Sequence, residues 1–454
     1  MSKSLFHEFD AVSAAQWKQK IQVDLKGADY NQTLVTATHE GIDITPFYHS
    51  EDFGATQSIA TKTTNWKITQ HIVVTNASEA NVTIKDVLAR GAESVVLRIT
   101  SENISITEML ADIDVQTVPI HIEMDFLSVS YCSDMHAFAK GNSANITIGV
   151  DLIGNLASTG NWFDTLTKDH EALEQILKLD GFKSALTIRL DVYQNAGATM
   201  VQQLAYALAH ANEYLNHFGE NITNTITFNV TVGTHYFFEI AKLRALRHLW
   251  SVLAKEYNVT QDCIVIASPS KRNKTLYDYN VNMLRTTTEC MSAVLGGADF
   301  VYNLPYDALY HHANEFGDRI SRNQLRILKD ESYFDKTDNP TEGSYYIESI
   351  TQQLAEKALV LFKDIEANDG FLKQLKAETI HRKVKESAAK EQALFDEGKE
   401  VLLGTNKYPN PEDRMKHDLE VEPFAKDEVQ KVAIIPLMVR RLATKLEKER
   451  LKHE

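Results

Sequence analysis

The chain contains 454 residues, of which 43% are hydrophobic and 24% are charged, and its formal net charge is −15. This length exceeds what one hydrophobic core usually supports, so we expect one large domain with extensions or two domains. The negative charge argues against a nucleic-acid partner, which needs concentrated Lys and Arg, and no segment approaches the roughly 18 apolar residues of a membrane span.

Residues 1–52 are predicted to form an N-terminal arm. An acidic helix that contains a tryptophan starts near Ser4 and is followed by the short extended stretch "GIDITPFY", which Pro46 interrupts. A segment this short cannot close a hydrophobic core of its own. We therefore expect an arm and not a separate domain.

Residues 53–335 alternate between β-rich runs and helical runs. "WKITQHIVVT" precedes "SEANVTIKDVLARG", "NITIGVDLI" precedes "FDTLTKDHEALEQILKL", and "TITFNVTVG" precedes "FFEIAKLRALRHLWSVLAKEY". About eight such units in this order predict an α/β fold of the (β/α)8 TIM-barrel type. The strands are interpreted as continuous Val/Ile/Leu runs, which are typical of parallel strands buried on both faces.

Residues 336–454 change to a helical pattern, which predicts a C-terminal helical extension. Gly404, Pro409 and Pro411 interrupt this pattern in "GTNKYPNPEDRM", because glycine and proline favour turns and loops. A last charged helix is expected over "KLEKERLKHE".

Polar residues near strand ends are the first candidates for chemistry, because barrel enzymes keep their reactive residues there. His121 and Glu123 are two apart on one strand and share a face, which fits either a metal pair or a hydrogen bond inside the barrel. A third ligand at suggestive spacing is missing, which disfavours the metal. Asp151 fits a general base, but an N-cap of the following helix is the favoured role.

A second candidate is "THYFFEIAKLRALRHLW", where His235 and Glu239 lie one helical turn apart. This spacing fits a metal pair. The rest of the helix is amphipathic, with Arg244 and Arg247 predicted to face outward, so an ordinary helix start is favoured.

The remaining histidines and the cysteines predict no site. His311 and His312 are expected to open a helix after the last strand as surface or interface residues. Cys132, Cys263 and Cys290 are far apart in the sequence, which indicates buried thiols in a reducing compartment. With no signal-peptide core, a cytoplasmic location is expected. The residues alone therefore predict a barrel with a helical tail, without a metal site or an identifiable catalytic set.

Several long stretches point to a family. "NAGATMVQQLAYALAHANEYL", "FFEIAKLRALRHLW", "NVNMLRTTTECMSAVLGGADFVYNLPYDAL" and "DNPTEGSYYIE" occur in this order. With them, the chain resembles the methylmalonyl-CoA mutase family from "GIDITPFY" to about Tyr408. The resemblance implies a coenzyme A thioester threaded through the barrel axis. It also implies a radical rearrangement between methylmalonyl-CoA and succinyl-CoA that depends on adenosylcobalamin.

Three positions depart from the family's catalytic pattern. Val192 stands at the place of the histidine of Gly-Tyr-His, and a valine side chain forms no hydrogen bond. His71 replaces the tyrosine between substrate and corrin, and Tyr277 replaces a glutamine near the substrate. The family's Ser-Met-Arg segment, whose arginine holds the substrate carboxylate, has no counterpart. The expected site is therefore degenerate at His71, Val192 and Tyr277, with no catalytic, cofactor-binding or metal residue assigned in this chain.

These departures predict the small, noncatalytic subunit of a heterodimeric methylmalonyl-CoA mutase. A catalytic large subunit would then bind both adenosylcobalamin and the acyl-CoA substrate, and the expected fold has no cobalamin-binding domain. Asp134 and His136 match a fragment of the family's cobalt-binding Asp-x-His-x-x-Gly signature, but Ala139 replaces its glycine, so a chance match is favoured.

Two alternatives remain open. One is a substrate-binding subunit of another acyl-CoA mutase that works with a separate cobalamin-binding chain. The other is a barrel that keeps a coenzyme A-binding or regulatory role without catalysis.

Overall fold

The computed structural model describes residues 8–53, 58–425 and 432–454. The arm begins with helices α1 (Ala14–Asp24) and α2 (Tyr30–Leu34), followed by the antiparallel strands β1 (Thr36–Ala37) and β2 (Asp43–Ile44). The start of the predicted arm helix, from Ser4 to His7, lies outside the described residues. Ser13 caps α1 through a reciprocal capping box with Gln16, which explains where that helix starts.

Eight parallel strands form the central barrel. They are β3 (Lys67–Val74), β4 (Ser94–Ile99), β5 (Ile120–Met124), β6 (Ile146–Gly149), β7 (Thr187–Arg189), β8 (Ile226–Val232), β9 (Cys263–Pro269) and β10 (Phe300–Tyr302). Their order is β6-β5-β4-β3-β10-β9-β8-β7, and a bridge between Val150 and Leu186 joins the two outer strands. This arrangement confirms the predicted (β/α)8 TIM barrel with an arm before it and a helical extension after it.

The helices that follow the strands are α3 (Ala77–Ala89), α4 (Ile106–Met109), α5 (Val129–Asn142), α6 (Leu152–Thr159), α7 (Leu166–Leu177), α8 (Asp191–Ala196), α9 (Met200–Phe218), α10 (Tyr236–Glu256), α11 (Val281–Leu295) and α12 (Glu315–Arg326). The extension contains α13 (Tyr345–Ala367), α14 (Phe371–Lys376), α15 (Thr379–Asp396) and α16 (Thr444–Lys452). Among the described residues, no helix has both the length and the apolar character needed to cross a membrane.

The face of each strand that packs against the helices is largely apolar, but the opposite face mixes polar residues with apolar ones such as Val96 and Ile266, so the prediction of uniformly apolar strands is wrong. Ile68, Ile72 and Val74 of β3 are buried in the main apolar core, whereas Thr69 and His71 alternate with them. Alternate residues of a strand point to opposite faces, and here the apolar set packs against the helices. The main core therefore lies between the barrel and the helices, and the other face lines the barrel axis.

The helix α10 corrects a second prediction, because Arg244 is fully buried instead of facing outward. Its Nη2 donates to Glu348 Oε1 of α13 at 2.7 Å, and its Nη1 donates to Asn339 Oδ1 at 2.7 Å. Arg247 is also largely enclosed and pairs with Asp299 at 2.8 Å. Arg244 therefore binds the barrel to the segment that begins the extension, whereas Arg247 joins α10 to the first residue of β9 and to the residue that precedes β10.

The histidines after the last strand also differ from the prediction. His311 and His312 lie in a turn, and the helix α12 begins only at Glu315, where Asn314 serves as the N-cap. His311 Nδ1 lies 3.1 Å from Asp307 Oδ2. The pair therefore belongs to a loop and does not open a helix.

Candidate functional site

Small polar side chains line much of the barrel axis. The residues that alternate with the core-facing positions of the strands include Thr69, Ser94, Thr147, Thr187, Thr227, Thr231 and Ser268. A TIM barrel usually fills this space with layers of Val, Ile and Leu. The lining is therefore that of a polar channel.

Larger side chains nevertheless cross this channel and close it. The rings of His121 on β5 and Phe300 on β10 are 4.1 Å apart between centroids, although these strands lie three positions apart in the barrel. One layer further along the strands, Asn229 Nδ2 of β8 donates to Glu123 Oε1 of β5 at 2.7 Å. Each contact joins strands that lie three positions apart, so side chains meet across the barrel interior at two levels.

The carboxyl end of the barrel carries charged side chains that are already paired. Arg189 donates to both carboxylate oxygens of Asp191, at 3.2 and 3.0 Å, and Arg98 donates to Asp125 at 2.8 Å. The charge of Asp191 raises the pKa of Arg189 above its usual value, and Glu123 acts in the same direction. Both guanidinium groups thus have carboxylate partners within this chain, which makes them structural ion pairs.

The structure does not bring the three degenerate positions together. His71 lines the axis and stacks on Tyr302 at 5.3 Å between ring centroids; burial lowers its pKa. Val192 lies in α8 and is buried in the main apolar core. Tyr277 is buried elsewhere, where its hydroxyl donates to Glu454 Oε1 at 2.7 Å. Only His71 therefore lies at the axis where the resemblance places the substrate.

A cavity of about 320 Å³ opens at the amino-terminal end of the barrel. His121 and Phe300 lie among its lining residues, together with Lys67 and Lys183. Neither ring nitrogen of His121 has a hydrogen-bond partner among the described residues, and burial lowers its pKa to about 3. His121 is therefore neutral at physiological pH, and it closes the inner end of this cavity.

A larger cavity of about 550 Å³ lies beside the carboxyl end of the barrel, between the arm, the barrel and the extension. One wall contains a fully buried network in which Lys242 Nζ donates to Gln194, Gln203 and the carbonyl of Thr231 at 2.8 to 3.1 Å and pairs with Glu239. This network was not predicted from the sequence. The sequence does contain an indication of it, because Lys242 lies on the apolar face of α10 one helical turn after Glu239.

Asp151 has the structural role that was favoured for it. Its Oδ1 accepts hydrogen bonds from Gly154 N, His210 Nε2 and Tyr214 Oη, each at 2.8 Å, and its Oδ2 accepts from Arg189 N at 3.0 Å. The N-cap interaction with α6 is confirmed. The additional bonds join β6, β7 and α9 at one buried carboxylate.

The remaining metal candidates are also engaged in protein contacts. Glu239 accepts a hydrogen bond from Gly233 N at 2.7 Å, while His235 directly precedes α10. His136 Nε2, on α5, lies 3.4 Å from Asp180. Across the described ranges, no group of three His, Cys, Asp or Glu side chains is arranged to hold a metal ion.

Comparison with known proteins identifies the family. Residues 100–449 match the sequence model described as methylmalonyl-CoA mutase. The methylmalonyl-CoA mutase small subunit of Porphyromonas gingivalis is 33% identical over 446 residues, which cover 90% of this chain and 71% of that protein. The chain belongs to the methylmalonyl-CoA mutase family. The resemblance predicted from the segments that form α9, α10 and α11 is therefore confirmed.

Other members of the methylmalonyl-CoA mutase family match to different extents. The small subunit of Propionibacterium freudenreichii subsp. shermanii is 27% identical, over 93% of this chain and 72% of that protein. The methylmalonyl-CoA mutase of Rhizobium meliloti is 36% identical, but the match covers 47% of this chain and 32% of that protein. The match to chains named small subunit thus extends over much more of the sequence.

Among solved structures, the dihydropteroate synthase of Stenotrophomonas maltophilia is similar with a TM-score of 0.33 and 11% identity. The superposition covers 61% of this chain and 99% of that one. The family assignment rests on the sequence matches alone.

Proposed function

We propose that this chain is the small, noncatalytic subunit of a heterodimeric, adenosylcobalamin-dependent methylmalonyl-CoA mutase. The large subunit binds the cofactor and the acyl-CoA substrate and interconverts methylmalonyl-CoA and succinyl-CoA. This chain supports the large subunit structurally, through its barrel surface and the arm of residues 1–52. The other two parts that we propose for the chain are the barrel of residues 53–335 and the extension of residues 336–454.

The observation that carries the proposal is the pair of side-chain contacts across the barrel axis. A pantetheine chain threaded through the barrel would have to break the Glu123–Asn229 hydrogen bond and separate the rings of His121 and Phe300. Breaking the first contact also leaves a partly buried carboxylate without its donor, which costs about 1–3 kcal/mol. The polar lining fits descent from a substrate channel, while the contacts across the axis fit a barrel that no longer admits substrate.

The carboxyl end of this barrel does not fit a corrin. The segment that includes Ile434, Leu437 and Arg440 lies along that end and donates backbone hydrogen bonds to the carbonyls of Gly160, Ala157 and Asn195 at 3.1, 2.7 and 2.9 Å. Val73, where the family carries a small residue, is 52% exposed at the end of β3. In this proposal the cofactor therefore binds to the large subunit and not to this chain.

The names of two relatives support the proposed heterodimer. Porphyromonas gingivalis has both a small subunit and a large subunit of methylmalonyl-CoA mutase, and the large subunit is 31% identical to this chain over 242 residues. The match covers 34% of that large subunit. A catalytic chain and a supporting chain that share a barrel can keep related interface surfaces while the site residues of one chain diverge.

The arm provides the second support for a partner. The helix α1 buries none of its residues against the part of the chain that the structure describes. Phe9, Val12, Trp17 and Val23 are all at least half exposed. Exposed apolar side chains concentrated on one segment are typical of an interaction site. We assign this surface to the large subunit.

Turnover by the purified components tests the proposal. We expect this chain with adenosylcobalamin to convert no methylmalonyl-CoA, and the large subunit to be more stable and fully active when this chain is present. Turnover by this chain alone would contradict the noncatalytic role, and a large subunit that is equally active and stable without it would contradict the supporting role. If a short cobalamin-binding chain restored turnover, this chain would instead be the substrate-binding subunit of another acyl-CoA mutase.

A further inference from the structure

Three buried side chains beside the loop after β9 contact one another. Asn273 and Lys274 belong to this loop, and Glu289 lies on α11. Lys274 Nζ donates to Glu289 Oε1 at 2.9 Å, to Glu289 Oε2 at 2.8 Å and to Asn273 Oδ1 at 2.8 Å. Asn273 Nδ2 donates to Glu289 Oε1 at 2.6 Å. Each of the three groups therefore contacts the other two.

These three groups are shielded from water. The side chains of Lys274 and Glu289 are each 1% exposed, and Asn273 is 6% exposed. Burial lowers the pKa of Lys274 and raises the pKa of Glu289, although each group lies beside the opposite charge. Desolvation thus favours the uncharged forms of both groups, an amine and a carboxylic acid. An uncharged lysine amine is a nucleophile.

The surrounding chain holds the loop in place. Lys274 N donates to Lys271 O at 3.2 Å, and Arg441 Nη1 donates to Lys274 O at 3.1 Å. On the other side, Thr275 N donates to Asn282 Oδ1 at 3.2 Å. Side chains that are held together in this way react as if at a high concentration, because little orientational freedom has to be lost.

The position of Glu289 fits the transfer of an acyl group from one nitrogen to another. Its Oε1 atom lies 2.9 Å from Lys274 Nζ and 2.6 Å from Asn273 Nδ2. If the amine attacks the side-chain amide of Asn273, the first nitrogen has to lose a proton and the second has to gain one. A single carboxyl group in contact with both nitrogens can carry that proton.

We propose that the side chains of Asn273 and Lys274 become joined by an isopeptide bond. Lys274 Nζ moves from Asn273 Oδ1 to the adjacent Cγ and attacks this carbon. The Cγ–Nζ bond forms, Glu289 carries a proton from Nζ to Nδ2, the Cγ–Nδ2 bond breaks and ammonia leaves. The reaction needs no oxidant and no other reactant. The inference concerns this chain alone and does not rest on the proposed function.

The surroundings also favour the linked product. Asn273 is one of the residues that line the 550 Å³ cavity, which gives the ammonia a path to solvent. The product is a neutral amide, whereas the unreacted pair of Lys274 and Glu289 is a buried ion pair in its charged form. Because buried charges carry a large desolvation cost, the bond removes this cost from the folded chain.

Lys242 provides a comparison within the chain. It is also fully buried, and it pairs with Glu239 and donates to the amide oxygen of Gln194. In addition, Lys242 Nζ donates to the carbonyl of Thr231 at 2.8 Å and to Gln203 Oε1 at 3.1 Å. These further acceptors favour the charged ammonium, which is not a nucleophile. We therefore expect Lys242 to remain unlinked.

Mass spectrometry of the purified full-length chain tests the proposal. Once removal of the first methionine is taken into account, we expect a mass about 17 Da below that of the sequence, from the loss of one ammonia. After unfolding, trypsin should cut behind Lys242 but not behind Lys274, and should release the linked peptide Asn273–Arg285. A succinimide at Asn273 has the same loss of mass but leaves Lys274 free, so trypsin would cut there.

Two variants and a control locate the reacting groups. Asn273→Ala removes the amide and keeps the pair of Lys274 and Glu289, so its mass should equal that of its sequence. Glu289→Gln should also stay unlinked, because an amide cannot carry the proton. Glu447→Gln is the matched control: Glu447 is another buried glutamate, paired with Arg441 at 2.6 Å, and its substitution should leave the loss of ammonia unchanged.

Three outcomes would overturn the proposal. A wild-type mass equal to that of the sequence would show that no bond forms. Cleavage behind Lys274 in a chain that has lost ammonia would assign the loss to a succinimide or to another position. A linked Lys274 in Glu289→Gln would show that this carboxyl group does not carry the proton.

Discussion

Replacing Asp151 by alanine is expected to lower the free energy of unfolding by about 4 kcal/mol, because it removes a buried, charged acceptor from four donors at once. The side chain of Asp151 is 3% exposed and that of His210 is fully buried. The loss leaves the His210 ring, the Tyr214 hydroxyl and two backbone amides without an acceptor. Urea denaturation followed by circular dichroism measures the change.

Two variants make this expectation specific. Asp151→Asn keeps the shape but loses the charge, so we expect about half the loss. Asp29→Ala removes an N-cap of the same residue type from α2, where Asp29 accepts from Gln32 N at 2.8 Å in an exposed position, and should cost about 1 kcal/mol. Equal losses at Asp151 and Asp29 would contradict the buried network.

The same carboxylate predicts a pH dependence. Burial alone would raise the pKa of Asp151, but the charge of His210 and the hydrogen bonds from His210, Gly154 and Tyr214 hold it below the ordinary value of 3.8. A group with a depressed pKa stabilises the fold above its unfolded pKa and loses this contribution as the pH falls through the folded value. The stability difference between wild type and Asp151→Asn should therefore be constant above about pH 5 and shrink below about pH 4.

Trp17→Ala is expected to weaken binding of the large subunit by about 30-fold, or about 2 kcal/mol. Trp17 is 51% exposed on a helix without a buried residue, and its ring centroid lies 5.9 Å from that of Phe47 in the same arm. Because the lost contact lies within the arm, the free energy of unfolding of the isolated chain should change by less than about 1 kcal/mol. Titration calorimetry with the large subunit and urea denaturation of the chain alone separate the two effects.

Val82→Ala is the matched control for Trp17. Val82 is 67% exposed, but it lies on α3 of the barrel and not on the arm. Its substitution should change neither binding nor stability. If Trp17→Ala left the affinity for the large subunit unchanged, the assignment of the arm to the partner interface would be wrong.

The alternation of strands and helices along the chain could be predicted from the sequence, because each strand is a short β-rich run followed by a helical one. The polar lining of the axis was not predicted. Every second residue of "TITFNVTV" is Thr or Asn, but a parallel strand that is buried on both faces is expected to be apolar on both. The short helix α6 was also not predicted, although Asp151 was correctly interpreted as a cap.

Contacts between distant segments could not be predicted at all. Arg244 was placed outward because helical periodicity describes one helix, whereas its partner Glu348 lies 104 residues further along the chain. The contact of Glu40 with α9 could not be predicted either, since nothing in the sequence of the arm indicates that this carboxylate accepts hydrogen bonds from the Met200 and Val201 amides. Likewise, Glu123 was recognised as facing the axis, but only the barrel geometry shows that it meets Asn229.

The family resemblance identified positions that hydrophobic periodicity alone does not identify. Val192 and Tyr277 were singled out only because catalytic members carry polar groups there. Val192 is buried in the main apolar core, whereas the Tyr277 hydroxyl donates to Glu454 and the Arg450 guanidinium lies 3.9 Å from the Tyr277 ring centroid. His71 lies at the axis, stacked on Tyr302. The departure of these positions from the catalytic pattern is therefore a prediction that depends on the family resemblance and not on the residues of this chain alone.

The most direct test of the noncatalytic role is a heterodimer in which only the large subunit is inactivated. The histidine of the Gly-Tyr-His segment in the large subunit is replaced by alanine, this chain is left unchanged, and conversion of methylmalonyl-CoA to succinyl-CoA is measured with saturating adenosylcobalamin. We expect turnover to fall to the level of the inactivated large subunit by itself. Turnover that exceeds this level would show that this chain carries a working site and would contradict its assignment as a supporting subunit.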